Sequence, residues 1–388
     1  MKFLVLIGER HIYNDFHSEG CALLREQGDV KTVVLSSGDE KSDLERFHGL
    51  LQEAEAAVIG CWYRPPMLPE HWQAARNLRV FSGTFDNRFG SSHQPRSVVK
   101  KEGSADRRWF ADTNETPWVD FETLKSRDIV LIDTSRGMTP SVAEFALAMT
   151  LNLVRDIPES IQLAQRGRWM GRAHSGGIAN FAERYRHWSK PGFVYGDLTG
   201  RRVGLAGFGS INRRYTELLA PFRCEVKSYD PFVSDEVLSE HGVVRVDSLV
   251  ELARSAEIFV VGLPPTPTTQ QIISDDVISA MPNGSLFVLV TRMAVVEQEP
   301  LWRRIQANEI AAAIDVFAPE PPPVDAWFRN HPNVIVTTHI AGGTDFCHRR
   351  CFTDACKDAI AVLDGKSPRF PVTYRDHLMY EGKLTSTE

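Results

Sequence analysis

The sequence predicts an α/β chain built as two domains, each a doubly wound parallel sheet, and three observations predict it. The 388 residues exceed what one ordinary core serves, since domains usually hold ~100 to 200 residues. Short runs of β-branched and aliphatic residues alternate from end to end with longer segments of helical periodicity, the signature of βα units on a parallel sheet. Those runs fall into two separate sets, which calls for two sheets.

The first set comprises residues 3–7, 32–35, 57–61, 79–82 and 129–132, with helical patterns over 17–26 and 42–55. The opening MKFLVLIGERH places only five apolar residues, Phe3 to Ile7, before charge appears. That is fewer than a signal-peptide core or a membrane span requires, so it reads as a first buried strand. A strongly helical stretch, 140–155, links the sets as a long connecting helix. The second set comprises 202–206, 225–229, 243–246, 258–262, 286–290, 311–314 and 334–337, and the polar and aromatic stretch from Asp354 onward is expected to pack back on the first lobe. The expected domains are therefore 1–139 with 345–388, and 140–344. Two segments, 87–123 and 173–192, show little periodicity; loops of this length serve as covers over a site or as plain surface decoration.

Composition narrows the functional classes. The apolar fraction is 43 % and the formal charge −6, with both signs scattered, so the basic stripe that a nucleic-acid backbone requires is missing. Six cysteines (Cys21, Cys61, Cys224, Cys347, Cys351, Cys356) form no C-x-x-C pair. Cys347 and Cys351 would share a helix face beside His348, but a zinc site normally needs four convergent ligands on paired knuckles. The cysteines read instead as buried apolar thiols, reduced, in a cytoplasmic protein that holds no metal.

The strand at 202–206 runs straight into Gly207-Phe208-Gly209, and a helical pattern follows. Glycines in such a turn let the backbone approach a pyrophosphate at the helix N-terminus, where unpaired N–H groups and the helix dipole favour anions. The next strand ends in Asp230, 21 residues after Gly209, close to the ~20 expected of a carboxylate that binds the adenosine ribose. A carboxylate there repels a 2'-phosphate, which favours NAD over NADP, although Arg213 and Arg214 are guanidinium groups able to accommodate that phosphate. The plainer reading of Asp230 is a turn residue before Pro231.

Three residues stand where second-set strands end: Arg292 after 286–291, Glu320 after 311–317 and His339 after 334–338. In an open parallel sheet these ends line the ligand crevice. An arginine can grip a 2-oxo acid carboxylate with two parallel hydrogen bonds and fix its C2. A histidine can give a proton to the carbonyl oxygen as hydride arrives, or take one in reverse. A carboxylate beside it favours the charged ring. Taken singly, Arg292 reads equally as half of a surface ion pair, Glu320 as an exposed turn and His339 as a core histidine. Their shared placement argues for chemistry.

Five stretches carry a resemblance: GMTPSVAE at 137–144, LTGRRVGLAGFG at 198–209, LPPTPTT at 263–269, DVFAPEP at 315–321 and HIAGG at 339–343. With them the chain resembles the D-isomer-specific 2-hydroxyacid dehydrogenases, most closely from 137 to 343. The resemblance implies two Rossmann-like domains, a flavodoxin-like substrate domain and an NAD-binding domain, with a cleft between them. It implies that Arg292, Glu320 and His339 are the catalytic set, and that the cofactor is held by Gly207, Gly209, Ser210, Ile211, Asp230, Pro264, Thr269, Thr291, Asp315 and Gly342. Substrate contacts would come from Arg64 and from the backbone of Gly83 and Thr84. A small 2-hydroxy or 2-oxo acid would be the substrate, and a homodimer would form largely through the helix at 142–155. Three departures point to a divergent subgroup: Asn212 stands for the third glycine, Thr338 for a proline, and Met293 beside Arg292 for a glycine, where it would reshape the pocket. Two rivals stay open, a non-catalytic NAD-binding regulator resembling corepressors, and an enzyme that uses bound NAD for elimination or epimerisation.

Overall fold

The computed structural model describes residues 1–36, 38–63, 65–85, 121–167, 194–380 and 382–384. Both aperiodic segments singled out above lie outside the described residues, apart from 121–123, which open the short helix Phe121–Ser126; Arg64 lies outside them as well. The chain forms two compact units, Met1–Met138 with Gly343–Glu388, and Thr139–Gly342.

The first unit carries five strands: β1 (Lys2–Gly8), β2 (Asp29–Leu35), β3 (Ala56–Ile59), β4 (Val80–Gly83) and β5 (Val130–Asp133). All pair in parallel in the order β2-β1-β3-β4-β5, the doubly wound order seen in flavodoxin-like folds. Both faces of the sheet are covered, which is why its strands read as unbroken apolar runs. In β1 the two-residue period sends Phe3, Val5 and Ile7 into one core and Leu4 and Leu6 into the other. The first core receives Cys21 and Leu24 from the helix Ser18–Gln27, and Cys347, Cys351, Phe352 and Cys356 from the helix Asp345–Leu363. The second receives Phe47 and Leu51 from Glu40–Leu51 and Trp72 from Pro69–Ala74. Five of the six cysteines are buried and all six are free thiols. Beyond Leu363 the chain returns to the sheet: Asp133 N–H donates to the Phe370 carbonyl at 3.1 Å and Val372 N–H to that of Leu131 at 2.8 Å.

The second unit carries β6 (Arg202–Ala206), β7 (Glu225–Tyr229), β8 (Val244–Arg245), β9 (Ile258–Val261), β10 (Leu286–Leu289), β11 (Ala311–Ile314) and β12 (Val334–Val336). These are also parallel throughout, in the order β12-β11-β10-β9-β6-β7-β8. The helix Thr139–Arg155 covers β10 and β11 on one face and packs on the helix Ser210–Leu219. A 2.8 Å hydrogen bond between the Thr150 and Tyr215 hydroxyls locks the two helices together. Phe259, Phe287, Leu289 and Ile314 fill the core on the opposite face. From β6 the chain winds outward through β7 and β8, then crosses back to β9 on the other side of β6. This reversal opens a crevice at the carboxyl ends of β6 and β9, where ligands of open α/β sheets bind. Among the described residues no helix is long and apolar enough to cross a membrane.

Candidate active site

The turn after β6 is shaped by Gly207, whose φ of +84° lies in the left-handed region. Its N–H bonds the Tyr229 carbonyl at 2.9 Å, tying the turn to the end of β7. Asp230, the next residue of that chain, completes the attachment. One carboxylate oxygen accepts the Phe208 N–H at 2.7 Å and the other the Phe232 N–H at 2.9 Å. The acidic residue and the glycine turn are thus a single fixed unit. A Cβ on Gly209 would meet nothing within 4 Å, so the turn presents an open face. Gly209 caps the helix Ser210–Leu219, where Ser210 and Ile211 form the first turn. Arg213, from the first turns of the same helix, bonds the Phe208 carbonyl through Nε at 3.0 Å and lies over its ring.

Asn212, in place of the usual third glycine, is accommodated by a second glycine that the sequence pattern did not flag. The Asn212 side chain is buried, and Nδ2 donates to the Gly207 carbonyl at 2.6 Å. It occupies the volume that a side chain at Gly262, just past β9, would need: a Cβ there would sit 2.3 Å from Nδ2. The helix and strand still approach closely, with the missing Cβ moved from helix to strand. Gly262→Ala is therefore expected to cost ~2 kcal/mol of stability as an overpacked core does, and far less in an Asn212→Ala background. Denaturant midpoints of the two single variants and the double variant measure this coupling; equal costs in both backgrounds would refute it.

Beyond β9 the turn 264–269 is held by its own threonines, with Thr269 Oγ1 accepting the Thr266 N–H at 2.8 Å and donating to the Pro264 carbonyl. At the end of β10, Thr291 Oγ1 donates to the Val261 carbonyl at 3.1 Å. Arg292 follows, partly buried, with Nη1 donating to the Thr291 carbonyl at 2.6 Å. Met293 does not line a pocket: it is 2 % exposed and belongs to the hydrophobic core.

The ends of β11 and β12 meet through two carboxylates. Glu320 Oε1 lies 2.5 Å from His339 Nδ1. Both side chains are a little over a quarter exposed, 27 % and 29 %, so the pair is formed and still reachable from solvent. With Nδ1 engaged, Nε2 is the ring nitrogen left for proton exchange. His339 has φ +58°, an unfavourable conformation for a residue with a side chain. The fully buried Asp315 holds it there. Asp315 Oδ1 accepts from Thr337 Oγ1 at 2.6 Å and from the Ile340 N–H at 3.0 Å, and Oδ2 from the Ala341 N–H at 2.9 Å. These three bonds bracket His339 on both sides.

All ten expected cofactor residues and the expected catalytic trio fall in the second unit, at or beyond the carboxyl ends of β6, β7, β9, β10, β11 and β12. Glu320 and His339 are in contact, and Arg292 stands at the end of the strand next to that of Asp315. Gly83 and Thr84 sit at the end of β4 in the first unit. The Thr84 hydroxyl is buried against Thr134 and Cys61, which leaves only main chain there for a ligand.

The family model for the NAD-binding domain of the D-isomer specific 2-hydroxyacid dehydrogenases matches residues 147–341, half of the chain. D-3-phosphoglycerate dehydrogenase of Methanocaldococcus jannaschii is 27 % identical over 249 residues, 64 % of this chain and 44 % of that protein. The enzyme of the same name from Archaeoglobus fulgidus is 30 % identical over 227 residues, 58 % of this chain and 39 % of that one. The match therefore spans less than half the length of these relatives. Among solved structures, a phosphoglycerate oxidoreductase from Rhizobium etli superposes with a TM-score of 0.70 at 20 % identity, over 96 % of this chain and 98 % of that one. D-mandelate dehydrogenase of Rhodotorula graminis gives 0.68 at 20 % identity, over 96 % and 97 %. These likenesses establish a shared fold, and the matched domain establishes the lineage: the chain belongs to the D-isomer specific 2-hydroxyacid dehydrogenase family.

Proposed function

We propose that the protein is an NAD-dependent oxidoreductase acting at C2 of a small D-2-hydroxy or 2-oxo acid. The observation that carries the reading is the His339–Glu320 pair, set on the same sheet edge as the Gly207 turn. The second unit fits a dinucleotide: the face of Gly209 is open, the first turn of a ten-residue helix lies behind it, and Asp230 is fixed to the glycine turn, where its carboxylate would meet an adenosine ribose. NAD, when bound, supplies the hydride acceptor or donor. The chain's own residues do the rest. Arg292 binds the substrate carboxylate and orients C2. His339 Nε2 gives a proton to the C2 oxygen during reduction and takes it back during oxidation, while Glu320 fixes the ring and stabilises its charged form. Asp315 holds the histidine loop in register.

The test is NADH consumption, followed by absorbance, across a panel of 2-oxo acids that varies in size and charge. Turnover of at least one is expected. Tight NADH binding without any turnover would favour a regulator on this scaffold. The same assay bears on cofactor choice. NADH should outperform NADPH, and Asp230→Ala should narrow the preference by ~10-fold or more by removing the charge that repels a 2'-phosphate. A preference for NADPH in the unaltered protein would show Arg213 or Arg214 to be the deciding group.

A further inference from the structure

His348, in the first unit, makes contacts that the proposed chemistry leaves unused. The ring is 6 % exposed and stacks on Phe16 with centroids 4.7 Å apart. Its Nδ1 lies 2.8 Å from the Thr344 carbonyl, which can only accept, so Nδ1 carries the proton. In the neutral ring Nε2 is then an acceptor, and two donors use it: the Trp62 indole N–H at 3.2 Å and the Arg10 guanidinium. These donors come from the turn that follows β3 and from the short helix Glu9–Tyr13 that follows β1, at the carboxyl edge of the first sheet. Trp62 needs such a hold, because its φ of +71° is strained for a bulky residue. Its main chain is fixed at the same time, the N–H bonding the Thr84 carbonyl at 3.2 Å. The turn so anchored lies beside the Thr84 main chain, and resemblance puts substrate contacts on this edge.

The geometry points to His348 as a positioning residue, an uncharged acceptor that locks the Glu9–Tyr13 helix and the Trp62 turn and so makes substrate affinity depend on a neutral ring. Its kinetic consequence rests on the dehydrogenase reading; the contact itself does not. A proton on Nε2 would face two donors, one of them cationic, and neither contact would survive. Burial pushes the ring below the ordinary imidazole range; the Thr344 carbonyl and Cys61 oppose that shift, and Arg10 and His11 reinforce it. A lowered value in the folded state means that the hold is complete at neutral pH and is lost as pH falls through that value.

Two measurements test this. In 2-oxo acid reduction, KM should rise ~10-fold as the pH falls below the ordinary imidazole range, with little change in kcat. His348→Gln, which keeps an acceptor that does not titrate, should flatten that rise to about twofold, and His348→Phe should raise KM at every pH. Independently of turnover, the fluorescence of Trp62, read as the difference between the protein and Trp62→Phe, should be quenched over the same acid range as the imidazolium forms. His348→Gln should abolish the quenching. An unchanged KM profile in His348→Gln, or Trp62 emission that is flat with pH in the unaltered protein, would overturn the proposal. If no 2-oxo acid is turned over, the dehydrogenase reading fails and the fluorescence titration alone decides the role of His348.

Discussion

His339→Ala is expected to lower turnover by ~100-fold or more while leaving NADH affinity nearly unchanged, the usual loss when a general acid is removed. The second half of this expectation follows from the architecture. The glycine turn is organised by Asp230, Tyr229 and Asn212, none of which depends on the β12 end where His339 sits. Stopped-flow or fluorescence titration with NADH measures binding, and single-turnover absorbance measures chemistry. A deficit in kcat and kcat/KM alike marks a group acting in the transition state, whereas a change confined to KM would mark a binding group. Full activity in the variant would take His339 out of the mechanism. Glu320→Gln should be milder, since the amide still reaches Nδ1 but no longer stabilises a charged ring.

Much of this architecture was legible in the chain itself, for identifiable reasons. Strands buried on both faces must be apolar at every position, so β1 and β9 to β11 stand out as short unbroken runs whatever they pack against. The glycine turn was legible because a left-handed φ at Gly207 leaves few alternatives to glycine. The contacts that refine the site were not. Gly262 reads as the last residue of an ordinary strand until Asn212, fifty residues earlier, is seen to fill its missing side chain. Met293 beside Arg292 suggested a reshaped pocket, but the 3-10 turn Met293–Val295 sends it into the core. His348 looked like one member of a cysteine-rich helix; its acceptor role depends on Arg10 and Trp62, more than 280 residues away in sequence. Pairings of that range leave no periodic trace for a sequence to show.

Asp315 offers the sharpest separation between two roles for one carboxylate. Resemblance makes it a contact near the nicotinamide, yet both of its oxygens already receive donors from the loop that carries His339. Asp315→Ala would take the acceptor from two main-chain N–H groups and one hydroxyl, of which the Ala341 N–H is buried, and each buried unsatisfied donor costs ~1 to 3 kcal/mol. A stability loss of about 2 kcal/mol is therefore expected, read from denaturant unfolding. With the bracket gone, the main chain on both sides of the left-handed His339 loses its hold, and turnover should fall by ~100-fold, as though the histidine itself were missing. The double variant Asp315→Ala/His339→Ala distinguishes the roles. If Asp315 acts by holding His339, the two losses in kcat will not multiply, because the second change removes a group already misplaced. If it acts through the cofactor, the losses will multiply and Asp315→Ala alone will weaken NADH binding, an outcome that would return this carboxylate to the nicotinamide.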